Sequence, residues 1–404
     1  MRRRLFDEYQ SMRPLSGITV VTLEHAIAAP FATRQLADLG ARVVKIERPG
    51  VGDFARGYDE RVRGLASHFV WTNRSKESLT LDVKHPKAQA ILKTLIREQA
   101  DIVVQNLAPG ASARLGLSYA ALSQDKPGII VCDISGYGDN GPYRDKKAYD
   151  LLIQSESGLV SITGTEQEPS KAGPSIADIA AGMYAYSNIL AALMHRQQTG
   201  RGQHLEISML ESLGEWMNYP LYYAFEGASP PPRTGASHAT IYPYGPFPAG
   251  DGKTVMLGLQ NEREWSVFCE KVLLQPQLLT DERFSSNSKR SAARTELRAL
   301  IVDAFSKLTA EEVVQRLDDA QIANARVNDM HDVWKHPQLQ ARKRWREVES
   351  PAGPIPALLP PGSWEEGEPR MDGVPALGQH TDAILSKLGY SQNEIASLRA
   401  AKAI

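Results

Sequence analysis

The chain has 404 residues, a formal net charge of −1, and 42% hydrophobic and 23% charged residues. That is the balance of a globular protein with room for two or three domains, and it offers no basic field for nucleic acid. Its two cysteines, Cys132 and Cys269, form no C-x-x-C pattern, which argues against a disulfide scaffold or zinc finger and fits a reducing cytoplasm.

In chain order, MRRRLFDEYQSM is basic but carries Asp7 and Glu8 and lacks an apolar core, so no secretory signal is read. No apolar run is read as a membrane span. GITVVTL (17–23), ARVVKIE (41–47), LTLDV (79–83), ADIVVQNL (100–107) and GIIVCDIS (128–135) are short and β-branched, as strands are. Between them FATRQLADL, ending at Gly40, and HPKAQAILKTLIREQA (85–100) have helical periodicity. This alternation predicts an α/β fold with a mostly parallel sheet and helices on its faces. Ligands of such sheets gather at the carboxyl ends of the strands. Glu24 to Ala28, Arg48, Lys84, Asn106 and Gly136 to Asp150 are therefore the first candidates.

Two long helical stretches follow, 176–200 and 207–227. ASPPPRTGASH (228–238) breaks the pattern as a linker does. A smaller domain is expected to about 335, with a strand at 254–259 and helices in EREWSVFCEKVL and AARTELRALIVDAF. The tail from His336 is rich in Pro and Gly before a last helix, TDAILSKLGY. The expected division is 1–215 and 335–404 for the large domain, and 216–334 for linker and small domain.

Within GPSIADIAAG, Asp178 has two readings. Ser175 and Asp178 form an S-x-x-D variant of the capping box, or the carboxylate is a nucleophile presented at a helix start. GYGDNG (136–141) matches G-x-G-x-x-G after a strand, but Pro-Tyr-Arg follows it where a helix should start, so no nicotinamide site is read. No P-loop or nucleophile-elbow motif occurs. The nine histidines have no metal spacing; His331 and His336 lie five apart in a polar segment, and no metal is expected. RKRWR (342–346) reads as a solvated face. Arg48, Lys84, Arg114 and Lys146–Lys147 recur near the expected ligand edge. Singly they are ordinary surface cations; together they can hold a polyanionic ligand such as a phosphorylated cofactor.

The segments LEHAIAAPFATRQLADLGARVVKIERPGVGDFARG, NRSKESLTLDVKHP, VVQNLAPGASARLGLSY, ISGYGDNGPYRDKKAYD, SIADIAAG, TGRGQHLEISMLES and LGQHTDAIL resemble the class III (CaiB/BaiF-type) coenzyme A transferases, in that family's order. The resemblance implies a Rossmann-like large domain, a smaller α+β domain and an interlocked, ring-through-ring homodimer. It puts the family's nucleophilic aspartate at Asp178, with Ala177, Ala180, Ala181 and Gly182 leaving room for an acyl adduct. The helix start is expected to favour the carboxylate form at neutral pH. Coenzyme A, bound as acyl-CoA, is the implied substrate, with a carboxylic acid as acceptor. By position its contacts map to Ala26, Ile27 and Ala28 at the thioester end. Arg48, Leu81, Lys84 and Arg114 map to the adenine and phosphates. Asn106 and Leu107 follow the fourth strand, and Lys147, Tyr149 and Asp150 follow the GYGDNGPY turn.

The formyl-CoA transferases of the family have glutamine where Ile27 stands, and a glycine-rich loop that GASHATIYPYGPF replaces, so an oxalate or formyl substrate is not expected. The family's racemases have their proton-transfer histidine where Tyr149 stands. Tyrosine, with a reference pKa of about 10, is a poor base near neutrality, so racemisation is the weaker reading. ERPGVGDFARGYDERVRGLASHFVWTNRSKESLTLD resembles bacterial itaconate CoA-transferases, which use succinyl-CoA. Arg233, Ser237, His238 and Tyr242 are the candidates for a second substrate carboxylate; the alternative is that His238 and Tyr242 are turn and core residues.

Overall fold

The computed structural model describes residues 13–365 and 367–404; the reading of the N-terminal twelve residues lies outside them. The chain divides into two compact units. One contains the described residues up to Ser157, Gly173–Met217 and Leu339–Ile404; the other contains Gly158–Ala172 and Asn218–Gln338. The expected division at 216 and 334 left 158–172 in the large domain. That stretch instead belongs with the second unit. The Arg233 guanidinium donates to the carbonyls of Ser161, Thr165 and Glu166, and the Gly235 N–H donates to the Gly164 carbonyl.

The first unit is built on six parallel strands: β1 Thr19–Leu23, β2 Arg42–Glu47, β3 Lys76–Thr80, β4 Ile102–Gln105, β5 Ile130–Ser135 and β6 His204–Ser208. Their order in the sheet is β3-β2-β1-β4-β5-β6. Strand order reverses between β1 and β4, which pair Leu23 with Gln105 at their carboxyl ends. Loops leaving such a switch point diverge and open a crevice. The interior strands are runs of Val and Ile with no exposure, as a sheet covered on both faces requires. Two expectations are corrected here. β3 starts three residues before LTLDV, because Lys76 is buried and ion-paired within it. The helix expected from 207 starts two residues later: Ile207 and Ser208 end the edge strand β6, and Ser208 caps the helix that follows.

Helix α1 (Ala28–Asp38) follows β1, α2 (Pro86–Gln99) joins β3 to β4, and α3 (Asp150–Glu156) follows the loop after β5. The long helix α4 (Ile176–Thr199) leads to β6, and α5 (Met209–Trp216) leaves it. Against expectation, α4 is long and apolar enough to cross a membrane by length and hydropathy. Its small residues Ala177, Ala180, Ala181 and Gly182 are instead buried against protein. A Cβ on Gly182 would lie 2.7 Å from the Ala28 carbonyl oxygen and 2.9 Å from the Phe31 ring, so α4 and α1 meet at backbone distance.

The second unit has a three-stranded antiparallel sheet of β7 (Tyr244–Pro248), β8 (Thr254–Gly258) and β9 (Ala323–Arg326). Helices α6 (Arg294–Phe305) and α7 (Ala310–Asp319) cover it around Phe247, Phe268, Phe284 and Phe305. The chain then returns to the first unit through the hairpin β10 (Trp345–Val348) and β11 (Ile355–Leu358). Helix α8 (Thr381–Lys387) is the expected last helix, but α9 (Gln392–Ala400) follows it, started by a Ser391–Glu394 capping box. The residues entering α8 close the free edge of β3. The Ser78 N–H donates to His380 Nδ1, and the Thr80 N–H donates to Thr381 Oγ1.

Candidate active site

The two loops leaving the switch point are bolted together. The His25 N–H donates to Asn106 Oδ1 and the Asn106 amide donates back to the His25 carbonyl, both at 2.9 Å. Ala26 adopts φ +60°, a left-handed conformation that L-residues rarely take. Its N–H donates to Asp53 Oδ1 at 3.1 Å. Ile27 and Ala28 then turn into α1, buried against α4. Asn106 is thus a bracket between loops.

Asp178 lies in the first turn of α4. The capping box expected from Ser175 does not form: Ser175 makes no capping hydrogen bond. Asp150, at the start of α3, caps α4 from outside. Its Oδ1 accepts from the N–H groups of Ala177 at 2.8 Å and Asp178 at 3.3 Å, and its Oδ2 accepts from Gln154. The Asp178 carboxyl is therefore released from capping. It is half-buried. Burial, then the Asp150 charge, push its pKa up to about 7, and the Ala28 N–H dipole works against them. The expected preference for carboxylate is corrected: these two outweigh the helix N-terminus. The small residues after Asp178 are also corrected, since they serve the α4–α1 contact. Tyr58 faces the same charges: burial, Asp53, Asp178 and Tyr149 raise its pKa to about 12. Tyr149 is 68% exposed.

A cavity of about 640 Å³ opens beside this turn, bordered by Leu23 and His25. It brings together Arg48, Leu81, Lys84 and Leu107 of the residues expected to meet the nucleotide. Arg399 of α9 and Lys402 just beyond it add two more cations that the sequence reading missed. No local pattern marks them; α9 reaches the cavity because Ala403 holds the β3–α2 loop, its carbonyl accepting the Asp82 N–H. A half-apolar pocket rimmed by cations fits a nucleotide bearing phosphates. Arg114 and Lys147 are exposed and do not line it. Lys146 pairs with Glu156 and lies 4.3 Å from the Tyr143 ring centroid.

The second-unit candidates are mostly engaged. Arg233 spends its guanidinium on three carbonyls of the 161–166 loop. Tyr242 is 3% exposed, packed between Phe247 and the Arg294 guanidinium, so it is a core residue. His238 Nδ1 accepts from the N–H groups of Thr240 and Ile241, and its ring stacks on Tyr244. The proton is therefore on Nε2. Ser237 closes a turn with Thr234.

Residues 15–381 match the family model of CoA-transferase family III. The chain is 34% identical over 386 residues to a succinate–glutarate CoA-transferase of Agrobacterium fabrum, covering 93% of this chain and 96% of that protein. It is 31% identical over 404 residues to the succinyl-CoA:glutarate CoA-transferase of Homo sapiens, covering 98% and 91%. Among solved structures, a CaiB/BaiF family protein from Brucella suis superposes with a TM-score of 0.82 at 31% identity, covering 94% of this chain and 100% of that one.

Proposed function

This chain belongs to CoA-transferase family III, and we propose that it carries CoA from succinyl-CoA to a five-carbon dicarboxylate, itaconate first, through a covalent intermediate on Asp178. The observation that carries the mechanism is the state of Asp178. A second carboxylate caps its helix in its place, its own carboxyl is partly open, and it sits one turn before the point where α4 meets the Ala28 backbone. A carboxylate so placed attacks the thioester carbonyl while the C–S bond breaks, giving a mixed anhydride and CoA thiolate. The thiolate then attacks the Asp178 carbonyl and expels succinate, leaving an aspartyl-CoA thioester. The acceptor carboxylate attacks that thioester, the thiolate leaves, and its return to the acceptor's carbonyl frees Asp178 and the new acyl-CoA. The Ala28 N–H stabilises the oxygen on which charge gathers in each addition.

The dicarboxylate reading is supported by the relatives that use succinyl-CoA and glutarate, and by the itaconate-type segment around residues 47–82. Glutarate, mesaconate and citramalate are the other acceptors to offer. The working form is taken as an interlocked homodimer in the cytoplasm; an active monomer in light scattering would end that reading. The mechanism is tested by incubating the enzyme with succinyl-CoA and hydroxylamine. Hydroxamate is expected on the peptide containing Asp178, with loss of transfer in Asp178→Asn. An unlabelled peptide, or an active Asp178→Ala enzyme, overturns it. A screen of the four diacids against succinyl-CoA, read by product mass, decides the acceptor.

A further inference from the structure

Under the turn that delivers the Ala28 N–H lies a charge cluster that no step above uses. Glu24, Lys45, Asp53 and Lys76 are all at most 3% exposed. Lys45 Nζ donates to Asp53 Oδ2 at 2.8 Å and to Glu24 Oε1 at 3.3 Å. Lys76 Nζ donates to Glu24 Oε1 at 2.6 Å, to the Pro30 carbonyl at 2.9 Å and to Asn73 Oδ1 at 3.1 Å. Three acceptors around one nitrogen are the complement of an ammonium. The free oxygen of Glu24 accepts the hydroxyls of Thr22 and Thr33 at 2.9 and 2.6 Å. The free oxygen of Asp53 accepts the N–H groups of Ala26 at 3.1 Å and Ala55 at 2.9 Å.

Burying ions costs several kcal/mol each before pairing, and well-packed apolar side chains often serve stability as well. What this cluster supplies is position. Glu24 directly follows β1, Lys45 is in β2, Lys76 is in β3, and Thr33 and Pro30 are in the first turns of α1. The His25–Ala28 turn is therefore held from three strands and a helix. Ala26 takes a left-handed backbone conformation that L-residues rarely adopt, and the acceptor that holds its N–H there is Asp53. Two residues later Ala28 meets α4 at backbone distance: a Cβ on Gly182, one helical turn after Asp178 and on the same face, would lie 2.7 Å from the Ala28 carbonyl oxygen.

We infer that Asp53, fixed by Lys45 and through it by Glu24 and Lys76, is a positioning residue for the transfer reaction: it holds the His25–Ala28 turn so that Ala28 stays against the face of α4 that carries the reacting carboxyl. The inference rests on Asp178 being the nucleophile. None of the four side chains touches substrate; they act through the turn.

The test is Asp53→Asn, which preserves shape and an acceptor for Ala26 but removes the charge that fixes it to Lys45. With succinyl-CoA and a working acceptor, kcat is expected to fall about ten- to hundred-fold, the scale of a displaced oxyanion donor. The KM for acyl-CoA should stay within about twofold. The acid limb of kcat/KM should move to higher pH, because the Ala28 N–H dipole that favours the Asp178 carboxylate is displaced. The charged or titratable groups facing Asp178 are Asp150 from α3, with Tyr58 and Tyr149 nearby; none is altered. If Asp53→Asn does not fold, Thr33→Val removes one donor to Glu24 at the start of α1, and kcat should fall about threefold with the same shift of the limb. Wild-type kcat and an unmoved limb in the folded variant overturn the inference, even if its melting temperature drops. Failure of the underlying mechanism is distinguishable, since Asp178→Asn would then remain active.

Discussion

The fold holds Asp178 in a charge state that it disfavours. Its pKa stands at about 7 against an ordinary 3.8, raised first by burial and then by Asp150. Below the ordinary value the carboxyl is neutral in folded and unfolded chains alike. Between the two values the unfolded chain has released a proton that the folded chain still holds. Stability contributed by this group is therefore fullest at low pH, falls as pH rises through the interval, and levels off above about 7. The interval is about three pH units, and at about 1.36 kcal/mol per unit the loss is about 4 kcal/mol. Asp178→Asn removes the titration while keeping an acceptor for the Ala28 N–H. It should abolish transfer and, at pH 8, gain up to about 4 kcal/mol of stability over wild type. The gain should shrink as pH falls through 7 and vanish near pH 4. Urea unfolding followed by tryptophan fluorescence, at matched protomer concentration and at pH 4, 6 and 8, measures it. A gain of equal size at all three pH values would refute the reasoning.

The same titration appears in turnover: kcat/KM should fall about tenfold per pH unit below the Asp178 value, and Asp150→Asn should move that limb to lower pH. An unmoved limb would mean that the Asp150 charge does not act on Asp178. Gly182→Ala places a Cβ within 3 Å of the Ala28 carbonyl and the Phe31 ring, so thermal unfolding should show a loss of about 1–3 kcal/mol. It should also lower kcat more than it raises the acyl-CoA KM, by prising α4 from α1. Lys402→Ala should weaken acyl-CoA binding by about 1–3 kcal/mol in calorimetry, leaving kcat unchanged; equal affinity would remove α9 from the nucleotide site. Arg233→Ala should lower the melting temperature of the second unit and leave the acceptor KM unmoved, because its contacts are carbonyls of its own loop.

The central strands were legible because a sheet covered on both faces needs uninterrupted β-branched runs, and VVTL, RVVKIE and IVVQ supply them. The same rule hid the charge cluster. Lys45 lies inside RVVKIE, and an interior strand of a parallel sheet has no solvent face to give it. That lysine was the available signal, and its partners Glu24 and Asp53 come close only once the sheet is assembled. The shift of β3 has the same root, since Lys76 reads as a loop residue until Glu24 neutralises it. The cap of the helix that carries Asp178 was misassigned: Asp150 is 27 residues away along the chain from Ala177 and arrives through folding. Arg233 and Tyr242 were chosen by residue type, and type does not reveal which side chains a unit consumes internally.

The edge of β3 has a consequence for biosynthesis. Its partners His380 and Thr381 stand about three hundred residues downstream, and the whole second unit is translated between them. While the ribosome makes that stretch, the emerging sheet presents an uncovered strand edge, the kind of surface that pairs with neighbouring nascent chains. The cavity beside the His25–Ala28 turn is equally late, since Arg399 and Lys402 complete its wall. A growing polypeptide thus carries Asp178 and its primary sheet long before that wall exists. The interval during which the edge stands open is set by the time taken to synthesise the inserted unit and the return segment.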